Sequence, residues 1–492
     1  MIKIEKGLVP FWDDYMIDRQ NTDAVLSVNK PEKKDVVMLF DQPWDGDSND
    51  FFTIVKDDGF YRMYYETWSF FDKSYTEGIN VCYAESKDGI HWERPNLNMC
   101  EFRGNTNNNI IMTGIYDNIV VMKDENPDCL PQHRYKALMS CGDVTGFVND
   151  DPNKARKGLI CMVSADGIHF ENYSVVSQGY DYDSQNSLHW NPHTNKYYCY
   201  FRCFNKKPEQ PDSVFNETNV RGIMVSESED FFNWSTPVPL DFGGREDYPL
   251  YTNCVMAYPF DTRYYIGFPT RYVERKKWTA NYDRLCGADR RKKRMTTEPN
   301  IGGVNQRYGL VLTDCVFMSS RDNYKWYRFD EACITPGIEY EGNWVYGDCY
   351  PAIGGVVETS SNFDGEPNEL SVYVFNHHWM PEKVQLVRYV YRRDGFASIK
   401  ADYSGKTLQT PVFQFDASTL KLNFRTSARG SIYLDVLDET GKAIDGYSTC
   451  EIFGDTLDRV IDFEKPLGDL KGKAVCFRFT MRDAEIYAMR FE

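Results

Sequence analysis

The sequence has no run of about 18 uninterrupted apolar residues, which excludes a membrane-spanning helix. Its first residues, MIKIEKGLVPFWDDY, lack the apolar core of a secretory signal. Positive charge is short: 56 Lys and Arg face 73 Asp and Glu, a formal net charge of −17 over 492 residues. Nucleic acid and anionic membrane both call for clustered positive charge, so neither is expected as a partner. The 14 cysteines form no C-x-x-C pair. With no signal segment, they read as free thiols in a reducing, cytoplasmic setting. The seven histidines are scattered. His377 and His378 adjoin, but neighbours on a strand point to opposite faces, so no metal site is expected. Asp45-Gly-Asp47-Ser-Asn49 opens like a calcium loop, yet Asp50 stands where Gly is needed and Lys56 where the closing Glu belongs. There is no G-x-S-x-G elbow, phosphate-binding Gly loop or H-E-x-x-H zinc helix, and no cofactor is implied.

Aromatic residues are plentiful: 10 Trp, 34 Tyr and 31 Phe. Tyr and Phe favour strands, and Trp and Tyr offer flat faces with polar tips. A repeat organises them. SKDGIHW, SADGIHF, SEDFFNW and SRDNYKW share the pattern Ser-x-Asp-x-x-x-aromatic, and RRDGF is a degenerate fifth copy. Their aspartates, Asp88, Asp166, Asp230, Asp322 and Asp394, are 78, 64, 92 and 72 residues apart. That spacing is too long for a solenoid and suits a four-stranded blade with variable loops. An alternating strand such as GINVCYAES or RGIMVSES precedes each turn, and a hairpin lies upstream. Short side chains bonding turn amides, with a ring packed beneath, explain the turns structurally.

The expected fold is all-β: a five-bladed β-propeller followed by a C-terminal β-sandwich. The propeller is placed at residues 1–402, closed partly by residues 12–17, with an insertion at 273–307. The sandwich takes 403–492, where short strands alternate with Gly-rich turns. The insertion holds the one basic run of this acidic chain, Arg290 to Arg294. It reads as a solvated loop, or as a lid that meets a negatively charged substrate group or a second subunit.

In a propeller the innermost strands line a central channel, so residues at their entrances converge. Aligning the hairpins places Asp50, Asp117 and Asp183 at the first three entrances. The fourth offers Tyr251 and Asn253, with Glu246 just outside, and the fifth offers Asp348. Each Asp alone also reads as a turn residue or strand cap. Converging carboxylates are what glycosidic cleavage needs: one protonated to release the leaving oxygen, another ionised to attack or activate water. Asn49, Trp190, Trp344, His377 and Trp379, with Tyr251 and Asn253, are the candidate sugar contacts, and core packing is the alternative for each aromatic.

The five-unit propeller with a C-terminal sandwich resembles the invertase and levanase group, family 32 glycoside hydrolases, and more loosely family 43. WDDYMID, CYAESKDGIHW, DSQNSLHW, YTNCVMAYP, GFPTRY, GNWVYGDCYP and RFTMRDAEIYAMRF are similar to bacterial proteins grouped as family-32-like. The resemblance implies a glycoside hydrolase with Asp50 at the nucleophile position. Only the Asn49-Asp50 pair of the first-blade Asn-Asp-Pro-Asn-Gly motif is present, followed by Phe51-Phe52. Tyr116-Asp117-Asn118 replaces the second-blade Arg-Asp-Pro, and Asp183-Ser184-Gln185-Asn186 the third-blade Glu-Cys. Three readings stay open: a glycosidase with carbohydrate as its partner, a non-catalytic carbohydrate-binding propeller, and a glycoside phosphorylase using the Arg290 to Arg294 run. A homo-oligomer is compatible with each.

Overall fold

The computed structural model describes residues 1–69, 78–113, 117–141, 158–180, 182–206, 219–275, 277–295, 306–380 and 383–492. Tyr116 and, within the insertion, residues 276 and 296–305 lie outside the described residues. The chain divides into two compact units, residues 32–390 and residues 1–31 with 391–492.

The larger unit is a five-bladed β-propeller. Blade one is Ser48–Lys56, Tyr61–Trp68, Asn80–Ser86 and Ile110–Thr113, and blade two is Asp117–Lys123, Tyr135–Cys141, Gly158–Ser164 and Glu171–Gln178. Blade three is Ser187–Asn191, Lys196–Lys206, Asn219–Ser228 and Val238–Pro239. In blade four, Val255–Ala257 and Tyr265–Gly267 lead to Val311–Ser320, flanked by Thr270–Glu274 and Trp326–Ile334. Blade five is Tyr350–Pro351, Val357–Thr359, Glu369–Asn376 and Val384–Tyr391, and its outer strand comes from the start of the unit: Glu32–Phe40 pairs antiparallel with Val384–Val390. Arg388, fully buried, clamps this closure with two bonds to Asp35, Nε at 2.9 Å and Nη2 at 3.1 Å. Closure removes an exposed sheet edge.

The four complete Ser-Asp-aromatic turns have the expected structural role. Ser86 Oγ accepts the Gly89 amide at 2.9 Å, and Asp88 Oδ1 accepts those of Ile90 and His91 at 2.8 Å. The pattern recurs at Asp166, Asp230 and Asp322. The residue after each Asp is left-handed: Gly89, Gly167, Phe231 and Asn323, with φ between 69° and 76°. A tyrosine of the preceding blade ties down three of them. Tyr373 Oη donates to Gly89 O at 2.6 Å, Tyr64 Oη to Gly167 O at 2.8 Å, and Tyr200 Oη to the Asn323 side chain. Blade two carries Leu138 at that position, and the turn of blade three has Phe231 in place of Gly.

The second unit is a β-sandwich-like domain. Its long strands Leu420–Asp438 and Val475–Phe491 pair antiparallel, and their inward Leu434, Val436, Phe477, Phe479 and Phe491 are fully buried. Residues 1–31, expected in the propeller, belong here. Gly7–Pro10 pairs with Ala488–Phe491, and the buried Trp12 donates its indole N–H to Asp394 O. The expected closure by residues 12–17 is therefore replaced by Glu32–Phe40, because Val9, Phe11 and Met16 join the core to which the strand Val475–Phe491 contributes. Among the described residues no helix is long and apolar enough to cross a membrane.

Candidate functional site

Asp50 and Asp117 owe their direction to the same backbone device. In blade one Asp50 pairs with Glu66, and the next matched pair is Thr53 with Tyr64, so Phe51 and Phe52 oppose one residue. In blade two Asp117 pairs with Ser140 and Val120 with Leu138. Both are β-bulges, which re-aim a side chain at a sheet end. Phe51 (φ 51°) and Asn118 (φ 63°) take the left-handed conformation that follows each aspartate. Non-glycine residues are strained there, and surrounding structure must hold them.

The cavity these strands meet at is lined by Asp50, Asp117 and Asp183, by Trp68, Tyr251 and Trp379, and by Arg221, Arg307, Tyr346, Tyr350 and His378 among others. Its volume is about 160 Å³. That falls below the roughly 300–1,000 Å³ of pockets for drug-sized ligands and suits one sugar ring. Asp50 is 4% exposed, whereas the Asp183 side chain is 65% exposed and pairs with Arg202 Nη2 at 3.3 Å. Asp50 thus lies deep and Asp183 at the rim.

Burial acts differently on the carboxyls. It pushes the Asp50 carboxyl well above the ordinary range, helped by the charge of Asp117 and opposed by the Trp68 hydrogen bond. Glu66, fully buried, is likewise pushed well above its usual value by burial and then by the charges of Asp117 and Asp50. Its Oε1 accepts the Ile119 amide at 2.6 Å. Burial raises Asp117 to about 6, restrained by hydrogen bonding with Glu66. The ring of His378 is held well below its usual value by burial and by Arg294 nearby. Among the described residues Asp50 Oδ1 and His378 Nδ1 are buried with no hydrogen-bond partner. Buried polar atoms are normally paired, so these are open to a ligand's hydroxyl groups.

The insertion builds a wall of this cavity. It contains helices α1 (Ala280–Arg284) and α2 (Ala288–Met295), and it runs into α3 (Arg307–Leu310). Arg291 and Arg294 are buried, not solvated. They donate to the carbonyls of Trp344 and Asn343, and of His378 and Tyr346, respectively. Arg290 Nε donates to Trp379 O at 3.1 Å. The basic run therefore secures the loops that carry Tyr346, His378 and Trp379, and α3 presents Arg307 and Tyr308 to the cavity.

Other candidates fall elsewhere. Asp348 is buried but does not line the cavity; its Oδ2 accepts the Val345 amide at 2.9 Å, and burial raises it to about 7. The fifth-blade residue at the register position of Asp50 and Asp117 is Tyr350, opposite Phe375, and it does line the cavity. Asp348 lies two residues before Tyr350, outside the paired strand Tyr350–Pro351. Glu246 is exposed and outside the cavity. Asn49 donates to Asp45 O at 3.0 Å, and Asn253 to Gln185 O at 3.0 Å, both as buried structural groups. Trp190 packs on Tyr197 at 4.6 Å. Trp344 donates its indole N–H to Gly337 O. His377 contacts Lys383 O at 3.0 Å and Tyr340 Oη at 3.2 Å, so its neighbour His378 is the cavity histidine. Among the described residues no group of His, Cys, Asp and Glu is placed to hold a metal ion.

No known protein family and no curated protein matches the chain by sequence. Solved structures align with it at low identity. A glycoside hydrolase is 11% identical, covering 74% of this chain and 92% of its own, with a TM-score of 0.39. A GH32 β-fructofuranosidase of Bombyx mori is 9% identical, covering 98% and 95%, with a TM-score of 0.36. An N-acetylgalactosamine deacetylase from F. plautii, in complex with blood group B trisaccharide, is 10% identical, covering 97% and 95%, with a TM-score of 0.37.

Proposed function

We propose that the propeller cavity is a glycosidase site that takes one terminal sugar ring and cleaves its glycosidic bond. The observation that carries this reading is the convergence of Asp50, Asp117 and Asp183, from three successive blades, on one small cavity. Depth divides their roles. A sugar entering a blind pocket leaves its glycosidic oxygen at the mouth, so the proton donor belongs at the rim, where Asp183 lies. Asp50 lies at depth, where a nucleophile or base reaches the sugar's inner face. Asp117, which shares a proton with Glu66 and feels both neighbours, tunes their charge and orients hydroxyl groups. Trp68, Tyr251 and Trp379 supply ring faces for the sugar.

The test is a screen of aryl glycosides and oligosaccharides, followed by Asp183→Asn. Loss of a proton donor matters least when the leaving group needs no proton. Asp183→Asn is therefore expected to lose about 10²–10⁴-fold on alkyl or sugar leaving groups and far less on dinitrophenyl glycosides. Binding without cleavage by the unaltered protein favours the carbohydrate-binding reading, and an absolute requirement for phosphate favours phosphorolysis.

A further inference from the structure

The cavity holds more than a neutral sugar needs. Beside its carboxyls stand two guanidinium groups from separate elements, Arg221 from the third strand of blade three and Arg307 from helix α3. Arg221 is 4% exposed. Its guanidinium lies over the rings of Tyr251 at 5.5 Å and Tyr272 at 5.1 Å, which stack on each other at 5.6 Å. Ring faces of this kind fix the plane of the guanidinium fork. Arg307 lies over Tyr308 at 5.0 Å, and Tyr308 packs edge-on against Tyr346 and Trp379, both of the cavity wall. A sugar hydroxyl is met adequately by amides, hydroxyls and carboxylates. A planar, oriented, permanently charged fork is suited to an oxyanion, which it grips through two parallel bonds.

We propose that the sugar ring taken by this cavity carries a carboxylate, so that the substrate is a glycoside of a uronic acid, with Arg221 and Arg307 gripping the carboxylate while Asp50 and Asp183 address the glycosidic carbon and oxygen. This rests on the glycosidase reading for the last clause only. The carboxylate grip stands by itself and is tested by binding. No bond is made or broken in it.

The probes are D-glucuronate and D-galacturonate, their neutral parents D-glucose and D-galactose, and inorganic phosphate. Titration calorimetry on the full chain is expected to give at least one uronate that binds about tenfold or more tighter than its parent, an advantage that shrinks with added salt. In Arg307→Gln, with an unchanged melting temperature as the folding control, the ratio of uronate to parent affinity is expected to fall to about threefold or less; Arg307→Lys should restore part of it. Equal or tighter binding of the neutral parents, no binding of either uronate, or phosphate binding alone overturns the proposal. Uronate binding without cleavage of any uronide leaves the grip intact and removes the glycosidase reading. Cleavage of neutral glycosides but not uronides does the reverse.

Discussion

His378 Nε2 stands 4.0 Å from Oδ2 of Asp50, and neither group is exposed. Burial drives the two in opposite directions, the imidazole down and the carboxyl up, and so favours the neutral form of each. Turnover through an ionised Asp50 then requires loss of its proton. The acid limb of kcat/KM is therefore expected above the ordinary carboxylate range, because that profile reports the essential groups of the unliganded protein. A pH–rate profile checks this, and an acid limb in the ordinary carboxylate range would contradict it.

The same burial opposes folding. An acid whose folded value is raised binds more protons folded than unfolded, so stability falls as pH rises from the unfolded value towards the folded one. Asn cannot ionise, and Asp50→Asn removes that penalty. Its Tm at pH 7 is expected to rise, by roughly 1 °C per kcal/mol regained for a chain of this size. The gain should vanish near pH 4. Differential scanning calorimetry at the two values measures both.

Asp57 has the opposite sign. Burial raises it, but bonds from Tyr135, Lys123 and Arg62 outweigh this and hold it well below the usual carboxylate range. Tyr135 Oη donates at 2.6 Å and Arg62 Nε at 2.5 Å, linking blades one and two. This stability is present above the unfolded value near 3.9 and is lost as pH falls below it. Asp57→Asn should destabilise at pH 7 and converge with the parent in strong acid, as read by urea melts across pH.

The insertion yields a contrast within one helix. Arg294→Met leaves the carbonyls of His378 and Tyr346 without their donor in a buried wall, an expected loss of about 1–3 kcal/mol per orphaned group. Lys292→Ser with Lys293→Ser alters exposed positions and should stay within about ±0.5 kcal/mol. Denaturant melts of both variants decide it.

The blade count and the turns were legible because a short side-chain code repeats at every blade: Ser and Asp each satisfy defined amides, so the same residues return at each turn. Asp50, Asp117 and Asp183 were legible through the same alignment. Asp348 stands two residues from the register position that Tyr350 occupies, an offset set by the loop before the strand Tyr350–Pro351 and not marked in the sequence. His378, and not His377, faces the cavity because the strand Glu369–Asn376 ends just before them and a left-handed His377 (φ 67°) reverses the chain, a turn the sequence does not mark. Glu66 lies in the alternating run YRMYYETW, where its pairing with Asp50 depends on a bulge that the sequence does not announce. Arg221 and Arg307 reach the cavity from elements distant in sequence, a convergence set by tertiary packing alone. Closure falls to Glu32–Phe40 and not to residues 12–17, because Met16 and Ile17 pack into the core of the unit formed by residues 1–31 and 391–492, a choice between cores that the local sequence does not mark.

The central claim is that Asp50, deep in the propeller cavity, does chemistry on a glycoside. The most direct measurement is the turnover of the best substrate by Asp50→Asn beside the parent, with ligand binding measured on both. The account predicts a loss of about 10²–10⁴-fold in kcat, with sugar binding kept and Tm no lower than the parent's. Parental turnover by Asp50→Asn would contradict it.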